Sequence, residues 1–182
     1  MKKLICILLS IVFLITGCVE RKTEKVKDTS DNIIVSVSKL PEDLVMLDNK
    51  MSEKDLLLSL FEGLVSQDEK GNIIPAIAES WTVSSDGVEY RFKISDDALW
   101  SDGSEITSGD FIEFFSAILT PETTNVYDSQ LFCIYGVEDY RARKGRFDKV
   151  AIRPEGKDEL VIRLNTPCQD FLQILSQPVY SL

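Results

Sequence analysis

Histidine is absent from the chain. That removes His-based triads, imidazole general bases and His-containing metal sites. Cysteine is scarce, with only Cys6, Cys18, Cys133 and Cys168. They form no C-x-x-C pair and show no metal-ligand spacing, which argues against zinc and iron–sulfur sites. Positive charge is also in short supply. Twenty Lys and Arg face thirty Asp and Glu, a formal net charge of −10. Phosphate contacts need a basic face, so nucleic acid is not a partner, and an anionic bilayer would not attract this surface. The nucleotide-binding patterns G-x-x-x-x-G-K-[ST] and G-x-G-x-x-G are missing, as are G-x-S-x-G and an EF-hand loop. Asp96 and Asp97 are an acidic pair, but they sit beside turns, where Asp serves local hydrogen bonding. No enzyme, metal site or cofactor follows from these residues.

What is present suits about one domain. Of 182 residues, 44% are hydrophobic and 27% charged, enough for a core and an ordinary surface. The one long apolar run is Leu4–Ile15, preceded by Lys2-Lys3. It is short for a membrane span and right for a signal-peptide core. It ends Leu14-Ile15-Thr16-Gly17-Cys18, which resembles a bacterial lipobox. That resemblance implies a leader at residues 1–17, cleavage before Cys18 and lipidation of Cys18; the alternative is an uncleaved anchor. Residues 18–32 are polar and without periodicity, a flexible tether or else a solvated helix. Cys133 and Cys168 are free to pair in an exported protein or to pack as core thiols, and spacing does not choose between these.

Beyond the tether, Ile33–Val37 reads as a short buried strand. Ser52 offers a helix N-cap with Asp55 three residues on. Leu57, Leu60, Phe61, Leu64 and Val65 then fall on one helical face, with Gly63 near its end. Residues 67–72 form a turn, and 73–75 an extended piece. Trp81–Val83 and Val88–Ile94 flank Ser85-Asp86-Gly87, a hairpin signature. Ser101-Asp102-Gly103 marks a second turn. Thr107 and Asp110 stand in capping-box positions before a helix with the apolar stripe Phe111, Phe114, Phe115, Ile118 and Leu119, closed by Pro121. Glu138–Lys144 predicts a short charged helix ended by Gly145. Val150–Ile152 and Leu160–Leu164 predict another hairpin, and Asp170–Leu175 a helix start. The class is mixed α and β.

Five motifs stand in order: Leu60-Phe61-Glu62-Gly63-Leu64, Ala78-Glu79-Ser80-Trp81, Asp86-Gly87 with Tyr90 and Phe92, Trp100-Ser101-Asp102-Gly103, and Thr107–Phe111. Together they resemble the extracytoplasmic solute-binding proteins of the peptide/nickel ABC-transporter family. The likeness covers about residues 33–178. It implies a periplasmic-binding-protein type II-like fold whose two lobes close on ligand. Residues 33–182 would supply only the N-terminal part of the first lobe, one face of which is built to bury against further chain. It implies a lipid-anchored protein on the extracytoplasmic face of a bacterial cell membrane. Such a protein takes oligopeptides from outside and passes them to ABC permease subunits. Nickel, haem and oligosaccharide are other ligands of the family, and a truncated surface lipoprotein is the alternative role.

The resemblance also assigns residues. Asn49, Lys50 and Met51 align with backbone that pairs with an extended peptide. The family's Leu-Asp-Pro is replaced here by Leu40-Pro41-Glu42-Asp43, which shifts that loop's register by a few residues. Tyr127 matches a tyrosine placed against the ligand's amino end. Trp81, Tyr90, Phe92, Trp100, Asp102, Gly103, Asp110 and Phe111 are the scaffold motif rather than ligand contacts.

Overall fold

A computed structural model of the chain describes residues 58–123 and 128–182. All of them belong to one compact unit, residues 35–182. The leader, the tether, the expected strand at 33–37 and the Ser52 cap lie outside the described residues.

Alternation dictates the sheet. Strand β3 (Ala78–Val83) turns back through residues 84–88 into β4 (Glu89–Ile94). The turn closes with Gly87 N–H donating to Ser84 O at 2.8 Å, and Asp86 accepts the Ser84 hydroxyl. Along β4, Tyr90, Phe92 and Ile94 are buried while Glu89, Arg91 and Lys93 stay half-exposed. The second expected hairpin joins β5 (Ile152–Pro154) to β6 (Glu159–Arg163). Sheet order is β3-β4-β6-β5, antiparallel throughout, so the two hairpins meet at β4 and β6. Phe92 lies opposite Leu160 and Tyr90 opposite Ile162, which zips one apolar face across the middle. A separate two-stranded sheet pairs β1 (Val65–Gln67) with β2 (Ile73–Pro75) across a turn at Asp68.

The apolar face is covered by α1 (Ser108–Ile118), which packs against β5 and β6. Its stripe does what its spacing predicts: Phe111, Phe115, Ile118 and Leu119 are buried, and Phe114 packs at the margin. Pro121 follows the end of the helix by three residues. Helix α2 (Val137–Arg141) and α3 (Phe171–Leu175) are short, and α3 packs beside β1.

Two sequence expectations need correction. The apolar face from Leu57 to Val65 is not one helix. Residues 58–60 are helical, Phe61–Gly63 are not, and Val65 begins β1. Leu64 and Val65 are buried as expected, but Leu60 is 56% exposed. Gly63 lies within the break. A Cβ there would meet Val65 O at 3.3 Å and Leu175 O at 3.4 Å, so the chain passes close to the end of α3. The charged helix is also shorter than Glu138–Lys144. It starts at Val137 and its C-cap is Ala142, with Arg143 taking the positive φ of 59° that Gly145 was expected to supply.

Candidate functional site

Most of the scaffold motif is core. Phe92 and Phe111 are fully buried, Tyr90 nearly so, and Trp81 packs half-buried against them. The Tyr90 ring meets Phe171 edge-on at 4.8 Å between centroids, which ties β4 to α3. Asp110 and Thr107 make the capping box. The Asp110 carboxylate accepts the Thr107 N–H and hydroxyl, both at 2.7 Å. Asp102 holds its own turn by accepting the Ser104 hydroxyl at 2.6 Å and N–H at 2.9 Å. The Ser104 hydroxyl, then its N–H, keep the Asp102 carboxyl below the usual range. These are structural tasks.

Trp100 is different. Residues 98–106 form a miniature hairpin, with Trp100 N–H on Ser104 O at 2.8 Å and Ile106 N–H on Ala98 O at 2.9 Å. It projects Leu99 and Trp100 toward solvent. They face Leu58, Leu60 and Phe61 across an open groove of about 710 Å³ that Leu182 also lines. Sequence reasoning placed Leu60 on a buried helix face and so missed this surface. The only local signal was an apolar Leu99-Trp100 pair directly before a tight turn.

Cys18, Asn49, Lys50, Met51 and Tyr127 lie outside the described residues, but both flanks of the Tyr127 segment are described. Upstream, Arg141 reaches back from α2 and donates to Thr120 O and, at 3.1 Å, to Thr123 O. These carbonyls follow α1, where helical partners have run out, so a guanidinium suits them. Downstream, a 3₁₀ turn at Asp128–Cys133 is pinned by the Tyr180 hydroxyl, 3.1 Å from Gln130 Oε1. The residues on either side of 124–127 are thus each held by a long-range hydrogen bond. Leu131, Ile134 and Val137, downstream of it, are buried.

The opposite sheet face carries charge. Arg91 is hydrogen-bonded to Glu159 at 2.9 Å, Glu155 at 2.5 Å and Glu89 at 3.1 Å, which together raise its pKa further. Lys93 pairs with Asp158, raising the ammonium and lowering the carboxyl. Val161 is fully buried within this charged face. It lies opposite Arg91 on one side and Arg153 on the other. Acid and base are locally matched here, so the face offers no excess charge to a ligand.

Among the described residues there is no cluster of three metal-ligating side chains, and no helix is long and apolar enough to cross a membrane.

Comparison with known proteins follows the same outline. A dipeptide-binding protein of Lactococcus lactis subsp. cremoris is 31% identical over 159 residues, spanning 87% of this chain and 28% of that protein. The solved murein tripeptide-binding protein MppA of Escherichia coli matches with a TM-score of 0.72 at 27% identity, over 78% of this chain and 28% of that one. The substrate-binding domain of an oligopeptide ABC transporter from Bacillus anthracis gives a TM-score of 0.69 at 29% identity, over 74% and 26%. The chain thus spans little more than a quarter of each relative. Residues 72–182 match the model of bacterial extracellular solute-binding proteins, family 5 Middle. The chain belongs to the family 5 bacterial extracellular solute-binding proteins, a family of binding proteins and not of enzymes.

Proposed function

We propose that this chain is the N-terminal part of the first lobe of a peptide-binding component of an ABC importer. It captures oligopeptides outside the cytoplasm and hands them to a membrane permease. The observation that carries this reading is the match of the described fold to part of a solved murein tripeptide-binding protein. The peptide-binding names of the other relatives support it. The proposed anchor is an acylated Cys18 after removal of residues 1–17, with 18–32 as tether and 33–182 as the partial lobe. A single acyl chain holds weakly, so the anchor needs several. On this reading the peptide meets backbone near Asn49, Lys50 and Met51 and the ring of Tyr127; the Arg141 and Tyr180 bonds to residues flanking Tyr127 support it.

The test is titration of the protein, expressed from its complete reading frame, with a panel of short peptides. Saturable binding at micromolar concentration is expected, and Tyr127→Ala weakens it by roughly tenfold, as loss of an aromatic anchor does. Saturation by nickel, haem or an oligosaccharide with no response to peptides overturns the substrate assignment. Metabolic labelling with a radioactive fatty acid should mark the wild type and not Cys18→Ser. Equal labelling of the two excludes the anchor.

A further inference from the structure

After β6 the chain is laced onto the 3₁₀ turn that closes the Tyr127 segment. Leu164 bridges Ile134, and Tyr135 N–H donates to Arg163 O at 3.0 Å. Asn165 contributes twice, its N–H donating to Cys133 O at 2.8 Å and its side-chain amide to Phe132 O at 3.0 Å. Three residues later Cys168 comes back over the same spot. Its carbonyl accepts from the Tyr90 hydroxyl at 3.4 Å and from Phe171 N–H at 3.3 Å. The Cys133 and Cys168 thiols lie in hydrogen-bonding contact, both half-buried and both free. Backbone bonds around both cysteines thus bring the two thiols together, and a disulfide starts from such a contact.

We propose that Cys133 and Cys168 are a disulfide-forming pair, oxidised by exchange with a small-molecule disulfide once the chain is outside the cytoplasm. The compartment rests on the function proposed above; the chemistry does not. Burial, with neighbouring Cys168 adding to it, pushes the Cys133 thiol up to about 12. It is therefore protonated near neutral pH, and the thiolate is the nucleophile in exchange. One of the two sulfurs, as a thiolate, displaces one half of the small disulfide as a thiolate and forms a mixed disulfide. The other sulfur then attacks the first, and its proton passes to the departing second thiolate. One protein disulfide has formed and one small disulfide has become two thiols. The bond would clamp the 3₁₀ turn downstream of Tyr127 to the entry of α3.

The test is to equilibrate the full chain with oxidised and reduced glutathione, alkylate remaining thiols, digest without reduction and analyse by mass spectrometry. A peptide pair joined through Cys133 and Cys168 is expected, and oxidation should raise the Tm by on the order of 10 °C, since the bond closes a long loop. Cys133→Ala with Cys168→Ala should show no redox-dependent shift while keeping the Tm of the reduced wild type. Full alkylation of both residues after oxidation, or a bridge seen only under denaturing conditions, overturns the proposal. The two readings fail separately. A bridged protein that binds no peptide sinks the receptor function alone, and a peptide-binding protein with both thiols free sinks the disulfide alone.

Discussion

Phe111 sits fully buried where α1 meets the sheet. Truncating it to alanine should cost about 3–5 kcal/mol, as large-to-small changes in packed cores do, read as a lower denaturant midpoint at unchanged slope. The Asp110 carboxylate does a smaller task, holding both Thr107 donors at 2.7 Å. Asp110→Ala should cost about 1 kcal/mol, and Asp110→Asn less, because an amide oxygen still accepts. Equal losses for the two would mean that charge, not the hydrogen bond, is what counts. Cys133 adds an alkaline signature in the reduced protein. Its folded pKa is raised from 9.0 to about 12, so folding favours the protonated thiol. That contribution is fully present below pH 9 and is lost as pH rises toward 12. Reduced wild type should therefore lose more Tm across that window than Cys133→Ala. Parallel curves would contradict the assignment. The cap and the aromatic stripe were legible in the sequence because each depends on spacing within a few residues. The Cys133–Cys168 contact was not, because it depends on the Leu164–Ile134 bridge, and spacing along the chain says nothing of that pairing.

Elements show the same division. Both hairpins could be read from alternation plus Asp-Gly or Pro-containing turns, since strand period and turn chemistry are local. The false helix to Val65 shows where locality ends. Leu60, Phe61, Leu64 and Val65 have helical spacing, yet Gly63 runs where even a Cβ would lie 3.4 Å from Leu175 O, far along the chain. Helix α2 depends on a similar close approach. Gly136 has a φ of 83°, and a Cβ there would lie 2.5 Å from Lys149 O. Gly136→Ala should therefore destabilise by more than about 1 kcal/mol, from backbone strain and collision together. A neutral result by thermal melt would show that the α2 start relaxes freely. Arg141 on the same helix holds the carbonyls at Thr120 and Thr123. Arg141→Ala should speed proteolytic cleavage within 121–128 and leave cleavage elsewhere unchanged.

For the whole molecule, charge and topology set the behaviour. Asp68, Asp86, Asp102, Glu122 and Asp158 all have lowered pKa values. The first cause of each is a side-chain hydrogen bond, respectively from Asn72, Ser84, Ser104, Thr120 and Lys93. A depressed carboxyl stabilises the fold above its unfolded pKa, about 4, and loses that contribution as pH falls through the folded value. Tm should therefore be level from about pH 7 to pH 5 and drop below about pH 4. A flat profile down to about pH 2 would show that these bonds add nothing. The sequence made the family legible through its turn and aromatic motifs, but the expected contacts at Asn49, Lys50, Met51 and Tyr127 are not in those motifs. Asn49, Lys50 and Met51 follow a stretch, Leu40–Asp43, where the sequence already departs from the family pattern. The sheet order has a further consequence, which concerns time. Strands β4 and β6 are partners at the centre although β6 is made some 65 residues after β4 ends. Until Arg163 has emerged, the β3–β4 hairpin has no neighbour for its second edge and no complete apolar floor. On the export route proposed above, this sheet thus stays uncommitted until residue 163 has followed. Its folding rate should be governed by closing that one long loop.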